Sequence, residues 1–268
     1  MKTRRMKNLF YTLFAALLFT TSNAGAQRLH DDNTISWLSS QNTIYLSKKV
    51  SLALEYQWRR EGVFQSWQQS LARGGVQYHF KNGVSVLGGY AYVITYPYGD
   101  YPAGPYTIPE HRIFEQLVWN DNSHGRLMIN HRLRLEQRLV GKVNQKAAAY
   151  DVDGSNYLNR VRYQLRVTYP LNNKKLEDKT WYLAAFDELF VGFGSNVNQN
   201  IFDQNRIGIL AGYQFNKNFR VDAGYLNQTV QQGALVGGKQ VYQYNNGLLV
   251  TAYYTKPARE KKVVEGSK

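Results

Sequence analysis

The 268-residue sequence contains no cysteine, which excludes disulfides, thiolate metal sites and a cysteine nucleophile. It holds only six prolines. No apolar run reaches the roughly 20 residues a helix needs to cross a bilayer, so a transmembrane helix is excluded. Histidine is sparse, and His30, His79, His111, His124 and His131 show neither H-E-x-x-H spacing nor another metal-ligand pattern. No glycine-rich phosphate loop leads into a helix, so nucleotide chemistry has no support. These absences leave no expected cofactor and no expected metal.

Acidic residues are also the minority, 19 against 33 Lys and Arg, for a net charge of +14. Lys2, Arg4, Arg5 and Lys7 supply four of those charges at the head of an apolar stretch from Leu9 to Phe19. The stretch ends in Ala24-Gly25-Ala26, a small-residue cleavage pattern. Residues 1–26 therefore read as a secretory signal peptide, too short in its apolar part to act as an anchor. No cysteine follows the cleavage site, which argues against a lipoprotein. Export also argues against nucleic acid as the partner of the basic surface.

Aromatic residues and glycine are abundant: 21 Tyr, 12 Phe, 5 Trp and 22 Gly. From Thr34 onward, alternating segments are separated by turn signals, the period of a strand rather than a helix. Leu52, Leu54, Tyr56 and Trp58 oppose Ala53, Glu55, Gln57 and Arg59. Val161, Tyr163, Leu165 and Val167 oppose Arg160, Arg162, Gln164 and Arg166. Ile207 and Ile209 oppose Arg206, and Val221, Ala223 and Tyr225 oppose Arg220 and Asp222. Asn82-Gly83 is a hairpin signal. Short connections (47–49, 81–83, 121–124, 216–218) alternate with longer ones (61–66, 97–109, 141–156, 192–201, 231–241), with 172–180 intermediate.

Several runs exceed the five or six residues usual in soluble sheets and suit membrane-crossing strands of about 9 to 11. The expected fold is all-β, an antiparallel up-and-down transmembrane β-barrel over residues 27–256, with a charged tail at 257–268. Eleven runs are distinct. Bacterial single-chain barrels use even numbers, so twelve strands are expected, with ten as the alternative and 27–47 or the neighbourhood of 231–241 hiding the missing one. A soluble periplasmic β-sandwich would share the alternation and is the competing architecture.

In a barrel, the charged face must turn from lipid, because a mid-membrane cation costs about 2 to 4 kcal/mol. In HRLRLEQR (131–138), Leu133 and Leu135 would then meet lipid while Arg132, Arg134, Glu136 and Arg138 enter the lumen. The same phase sends Glu55, Arg59, Arg73, Arg160, Arg162, Arg166, Arg206 and Arg220 inward, with Glu188 and Asp203 as further partners. Two roles fit such a lumen. Arg–Glu networks can fill and cross-link it, or a basic wall can favour small anionic solutes in a narrow conduit. An outer-membrane lipid- or lipopolysaccharide-modifying enzyme is a third class. His131, Asn130 and Ser123 supply its ingredients, but Asn130 and His131 would face opposite sides, so no catalytic residue is assigned.

LEYQWRR, QQSLARGGVQY, EHRIFEQL, HRLRLEQR, RVRYQLRVTYPL, DELF and FDQNRIGILAGYQF together resemble the DUF2490 family, over about Trp37 to Tyr254. HRLRLEQR and FDQNR are the most specific pieces. The resemblance implies an uncharacterised β-barrel of the bacterial outer membrane, mainly from Bacteroidetes, and carries no activity. Its implied partners are outer-membrane lipid, lipopolysaccharide and the barrel-assembly machinery. One departure is that Tyr253 and Tyr254 are followed by a charged tail, whereas many such barrels end on an aromatic residue.

Overall fold

A computed structural model describes residues 28–144 and 151–258, without the side chains of 122–124. The signal segment and nearly all of the charged tail lie outside these residues. Every regular element described is a strand: β1 (Arg28–Tyr45), β2 (Val50–Glu61), β3 (Ser66–His79), β4 (Ser85–Thr95), β5 (Ile108–His124), β6 (Leu127–Val143), β7 (Val152–Pro170), β8 (Thr180–Phe193), β9 (Phe202–Asn216), β10 (Phe219–Val236) and β11 (Lys239–Lys256). Each pairs antiparallel with the next, and β1 closes the sheet on β11 in parallel. The chain is thus one closed barrel, not a sandwich.

Among the described residues the count is eleven, not twelve or ten. An even number lets an all-antiparallel ring close, but hydrogen bonding does not require it. A parallel seam also removes both sheet edges, at slightly lower stability per residue. The described part of 27–47 hides no extra strand; Arg28–Tyr45 form β1 alone. Their poor alternation has a physical cause, because Ile35 and Trp37 point inward while Thr34 and Ser40 are exposed on the outer face. The segment 231–241 is not a long loop either. β10 and β11 run on to a two-residue turn at Gly237 and Gly238, whose φ angles of 57° and 76° suit glycine in a hairpin of this kind.

Following the pairing once around the barrel, Asp31 leads through Gln243, Val230, Gln204, Phe190, Arg162, Arg134, Gln116, Leu87, Gln77 and Ser51 to Tyr45. The return lies fourteen residues along β1 from the start, a stagger that tilts the strands by about 40°. Because the strand number is odd, the first and last strand ends lie at opposite mouths. Arg28 shares its mouth with connections 62–65, 96–107 and 194–201, and Lys256 shares the other with 46–49, 80–84 and 217–218.

Apolar and polar residues are distributed inside-out relative to a soluble protein. Leu54, Tyr56, Leu133, Leu135, Leu183, Leu189, Ile207 and Ile209 are exposed on the outer wall, while Arg59, Arg134, Glu136, Arg160, Arg162 and Glu188 are buried. Inside, two apolar clusters line limited parts of the wall: Ile35, Trp37, Tyr182, Ala184, Phe186, Leu210 and Leu226, and a smaller one of Leu87, Ala91 and Phe114. Gly208 and Gly212 make room for the rings of Phe186 and Tyr182.

The parallel seam depends on Gly247 of β11, paired with Ile35. A Cβ there would overlap the Ile35 backbone carbonyl, whereas at Gly88 it would meet open space. Gly247→Ala is therefore expected to destabilise the barrel by about 3 kcal/mol through overpacking. Gly88→Ala should be nearly neutral. Urea unfolding of the two refolded variants, followed by heat-modifiable gel migration, compares them directly.

Candidate functional site in the barrel interior

The register sets inward-facing charges on neighbouring strands side by side, and the barrel's curvature brings others together across the lumen. On adjacent strands, Arg73 Nε donates to Glu55 Oε2 at 2.6 Å. Glu110 Oε1 accepts from Arg112 Nε at 2.6 Å and from Arg138 Nε at 2.5 Å. Glu136 takes Arg160 at 2.5 Å and Arg162 at 2.7 Å, with Arg134 at 3.8 Å. Other pairs skip strands. Arg138 and Arg160 reach Asp203 of β9 at 3.5 and 2.6 Å, and Arg132 of β6 reaches Glu188 of β8 at 2.8 Å. Arg162 also binds Glu188, at 2.7 Å, so one network runs from Arg112 to Arg132 through five strands. Separately, Arg166 of β7 binds Asp222 of β10 at 2.5 Å.

Aromatic rings support the guanidinium groups. Arg162, Arg206 and Arg160 lie 4.3, 4.7 and 5.1 Å from the centre of the Phe190 ring, and Arg134 lies 4.8 Å from Phe114. Arg59 and Arg206 both lie over Trp37, at 3.9 and 4.9 Å. The Trp37 indole N–H donates to Gln68 at 2.6 Å, which holds the ring in place. Such contacts stabilise a desolvated cation by up to about 2 kcal/mol each. These groups form a septum at mid-barrel.

On either side of the septum lies a cavity. The one toward the mouth of connection 96–107 has a volume of about 550 Å³ and is lined by Arg59, Arg112, Arg138, Arg160, Arg206 and several glutamines. The other, of about 300 Å³, is lined by Glu55, Arg73, Arg132, Arg166, Arg220 and the apolar Leu176, Leu226 and Leu249. Connection 96–107 folds over the first. The Asp100 and Tyr101 backbone N–H groups donate to the Asp31 carboxylate at 3.1 and 3.4 Å, and Gly99 N–H donates to Glu61 at 3.2 Å. The Tyr98 hydroxyl donates to Gln243 at 3.0 Å and accepts from Asn245 at 3.2 Å. Burial pushes the Tyr98 phenol above its ordinary pKa, so it stays neutral at physiological pH.

All twelve charged residues singled out from the sequence lie in the interior. Of these, Arg132, Arg134, Glu136, Arg138, Arg160 and Arg162 belong to the continuous network, Glu55 pairs with Arg73, and Arg166 pairs with Asp222. Arg59, Arg206 and Arg220 are joined to no carboxylate among the described residues; Arg220 instead lies 4.2 Å from the Tyr253 ring centre. Sequence reasoning passed over Glu110 and Arg112. Their signal was the alternation Glu110, Arg112, Phe114, Gln116, masked by Glu115 in the apolar phase of the same strand. In the pair 187–188, Glu188 points in while Asp187 is on the outer wall, accepting from Asn205 at 2.5 Å.

Of the hydrolase ingredients, His131 and Asn130 turn to opposite faces of β6, and the side chain of Ser123 lies outside the described residues. His131 stacks on Trp119 at 4.8 Å and meets the Tyr163 hydroxyl at 2.8 Å on the outer face. Asn130 lines the smaller cavity and donates to Asn120 at 2.7 Å.

Residues 34–236 match the family described as "Protein of unknown function (DUF2490)". The sequence matches no curated protein.

Glu136 is 1% exposed and answers two fully engaged arginines. Glu136→Gln would leave Arg160 and Arg162 without this counter-charge, at a cost of about 3–5 kcal/mol for a broken buried pair. Asp178→Asn, in the exposed 171–179 connection, should stay within about 0.5 kcal/mol of the parent. Urea titration of the refolded variants measures both.

Proposed function

The chain belongs to the DUF2490 family, and from that premise we propose that it is a transmembrane β-barrel of the bacterial outer membrane whose lumen is held shut by its own ion pairs. Its role in this reading is structural rather than that of an open pore. The single observation that carries the closed lumen is the septum, in which Arg160 and Arg138 bind Asp203 across the barrel and Glu136 joins Arg160 to Arg162.

Membrane residence is supported by the outer wall. Water would leave a continuous ring of exposed Leu, Ile, Val and Tyr unburied, whereas lipid covers it without cost. Aromatic groups collect toward both mouths, as amphipathic rings do at membrane interfaces. At one, Trp58, Phe64, Trp67 and Tyr96 stack, with Arg60 over Trp58 and Trp67. At the other, Trp181, Tyr213, Phe215 and Phe219 form a chain of ring contacts. Glu115 and Asp187 are carboxylates on the outer wall, and each accepts from a cross-strand amide, Gln137 at 3.1 Å and Asn205 at 2.5 Å. Outward carboxylates cost less than outward arginines. The contacts of the chain are then outer-membrane lipid and lipopolysaccharide, reached after export and insertion by the barrel-assembly machinery.

Purified protein refolded into lipid should migrate faster unheated than heated, and cell-expressed protein should stay with membranes until detergent is added. In planar bilayers it should give no sustained conductance steps. Release without detergent would overturn the membrane reading, and steady anion-selective steps would overturn the closed lumen. The odd strand number adds a topological expectation: epitopes placed before Arg28 and after Lys256 should be labelled from opposite sides of the membrane. Labelling of both from one side contradicts it.

A further inference from the structure

We infer that the larger cavity, between the septum and connection 96–107, is a binding site for a hydroxyl-rich anion, a sugar phosphate or sugar acid of one or two rings. This rests on the closed-lumen reading above, which makes the cavity a blind chamber instead of one half of a conduit.

Two buried cations of this chamber, Arg59 and Arg206, make no ion-pair contact among the described residues, although Glu188 lies near enough to Arg206 to act on it electrostatically. Arg59 and Arg206 are 4% and 9% exposed, and neither is joined to a carboxylate among the described residues. Arg59 donates to Gln57 and, at 2.5 Å, to Gln69; Arg206 donates to Gln204 at 3.2 Å, and its Nε has no hydrogen-bond partner. The other arginines of the chamber share Glu110 and Asp203, so the positive charge there is not neutralised. A buried, uncompensated guanidinium is costly to folding, and such costs persist where a ligand offsets them. Arginine's planar fork suits phosphate and carboxylate.

The rest of the lining specifies more than charge. Gln69, Gln204, Gln228 and Gln231 line the same space. Each amide offers donors and an acceptor, the complement of a hydroxyl that does both. These amides already have protein partners, as Gln228 donates to Gln204, Gln69 to Thr95 and Gln231 to the Gln199 carbonyl, and each keeps at least one N–H for a ligand oxygen. A simple inorganic anion would fill little of the space, and a neutral sugar would leave the arginines unanswered. The volume of about 550 Å³ falls in the range of small-ligand pockets. The smaller cavity also reaches Arg206, but Arg73, Arg132, Arg162 and Arg166 in its wall are each paired with a carboxylate, and of the two cavities Arg59 lines the larger alone.

Titration calorimetry of the full-length barrel in detergent micelles tests the site with glucose 6-phosphate, glucuronate, glucose and inorganic phosphate. At least one of the two charged sugars should bind no less than tenfold more tightly than glucose or inorganic phosphate, and the two arms tell phosphate from carboxylate. Arg206→Gln should weaken that binding at least tenfold while leaving the melting temperature unchanged or raised, a combination that a purely structural arginine would not give. If Arg206→Gln fails the heat-modifiability test for a folded barrel, Arg59→Gln takes its place. Equal affinity for glucose, equal affinity for inorganic phosphate, or full binding by the folded variant would each overturn the assignment. Micelle binding does not depend on membrane residence or conductance, so failure here leaves the barrel reading standing, and failure there leaves this result interpretable.

Discussion

Glu136 receives Arg160 and Arg162 at hydrogen-bonding distance and has Arg134 just beyond it, in a site with 1% exposure. That contact explains much of the interior. Every carboxylate added to the network answers more than one guanidinium, so clustered arginines can be held inside a closed sheet. The aromatic faces of Phe190, Phe114 and Trp37 take up the flat sides of the same cations. What results is a wall across the barrel built from the wall's own side chains, and two cavities that it keeps apart.

Closure of the sheet supplies the geometry that the network needs. An odd ring of eleven strands closes through a parallel seam, and the fourteen-residue stagger tilts the strands so that residues distant in register share a level. Arg138 of β6 and Asp203 of β9 meet for this reason. Where carboxylates run out, at Arg59 and Arg206, the structure accepts an unbalanced charge beside a glutamine-lined space. Evolution commonly tolerates such local cost where a ligand or a conformational change recovers it, and this is the physical basis for treating the larger cavity as a site.

How much of this could be read in advance differs from residue to residue. Alternation puts Arg132, Arg134, Glu136 and Arg138 on one face, since a strand offers only two, and the barrel reading with the cost of charge in lipid turns that face inward. Glu110 and Arg112 escaped because Glu115 breaks the apolar phase of β5, its charge held on the outer wall by Gln137. β1 was obscure for the opposite reason, with apolar Ile35 and Trp37 inside and polar residues outside. The partners of Glu188 and Asp203 are not legible in the sequence, because pairing across a lumen depends on curvature and stagger, which a one-dimensional pattern does not contain.

The all-β class, the positions of most strands and the inward side of the arginines on the cleanly alternating strands are legible in the sequence, because a period of two residues and the incompatibility of charge with apolar surroundings are local facts. The number eleven, the parallel seam, the opposite placement of the strand ends and the choice of which arginine meets which acid come from the closed ring. Those depend on how the two edges of one sheet find each other, and edge closure is a property of the whole ring.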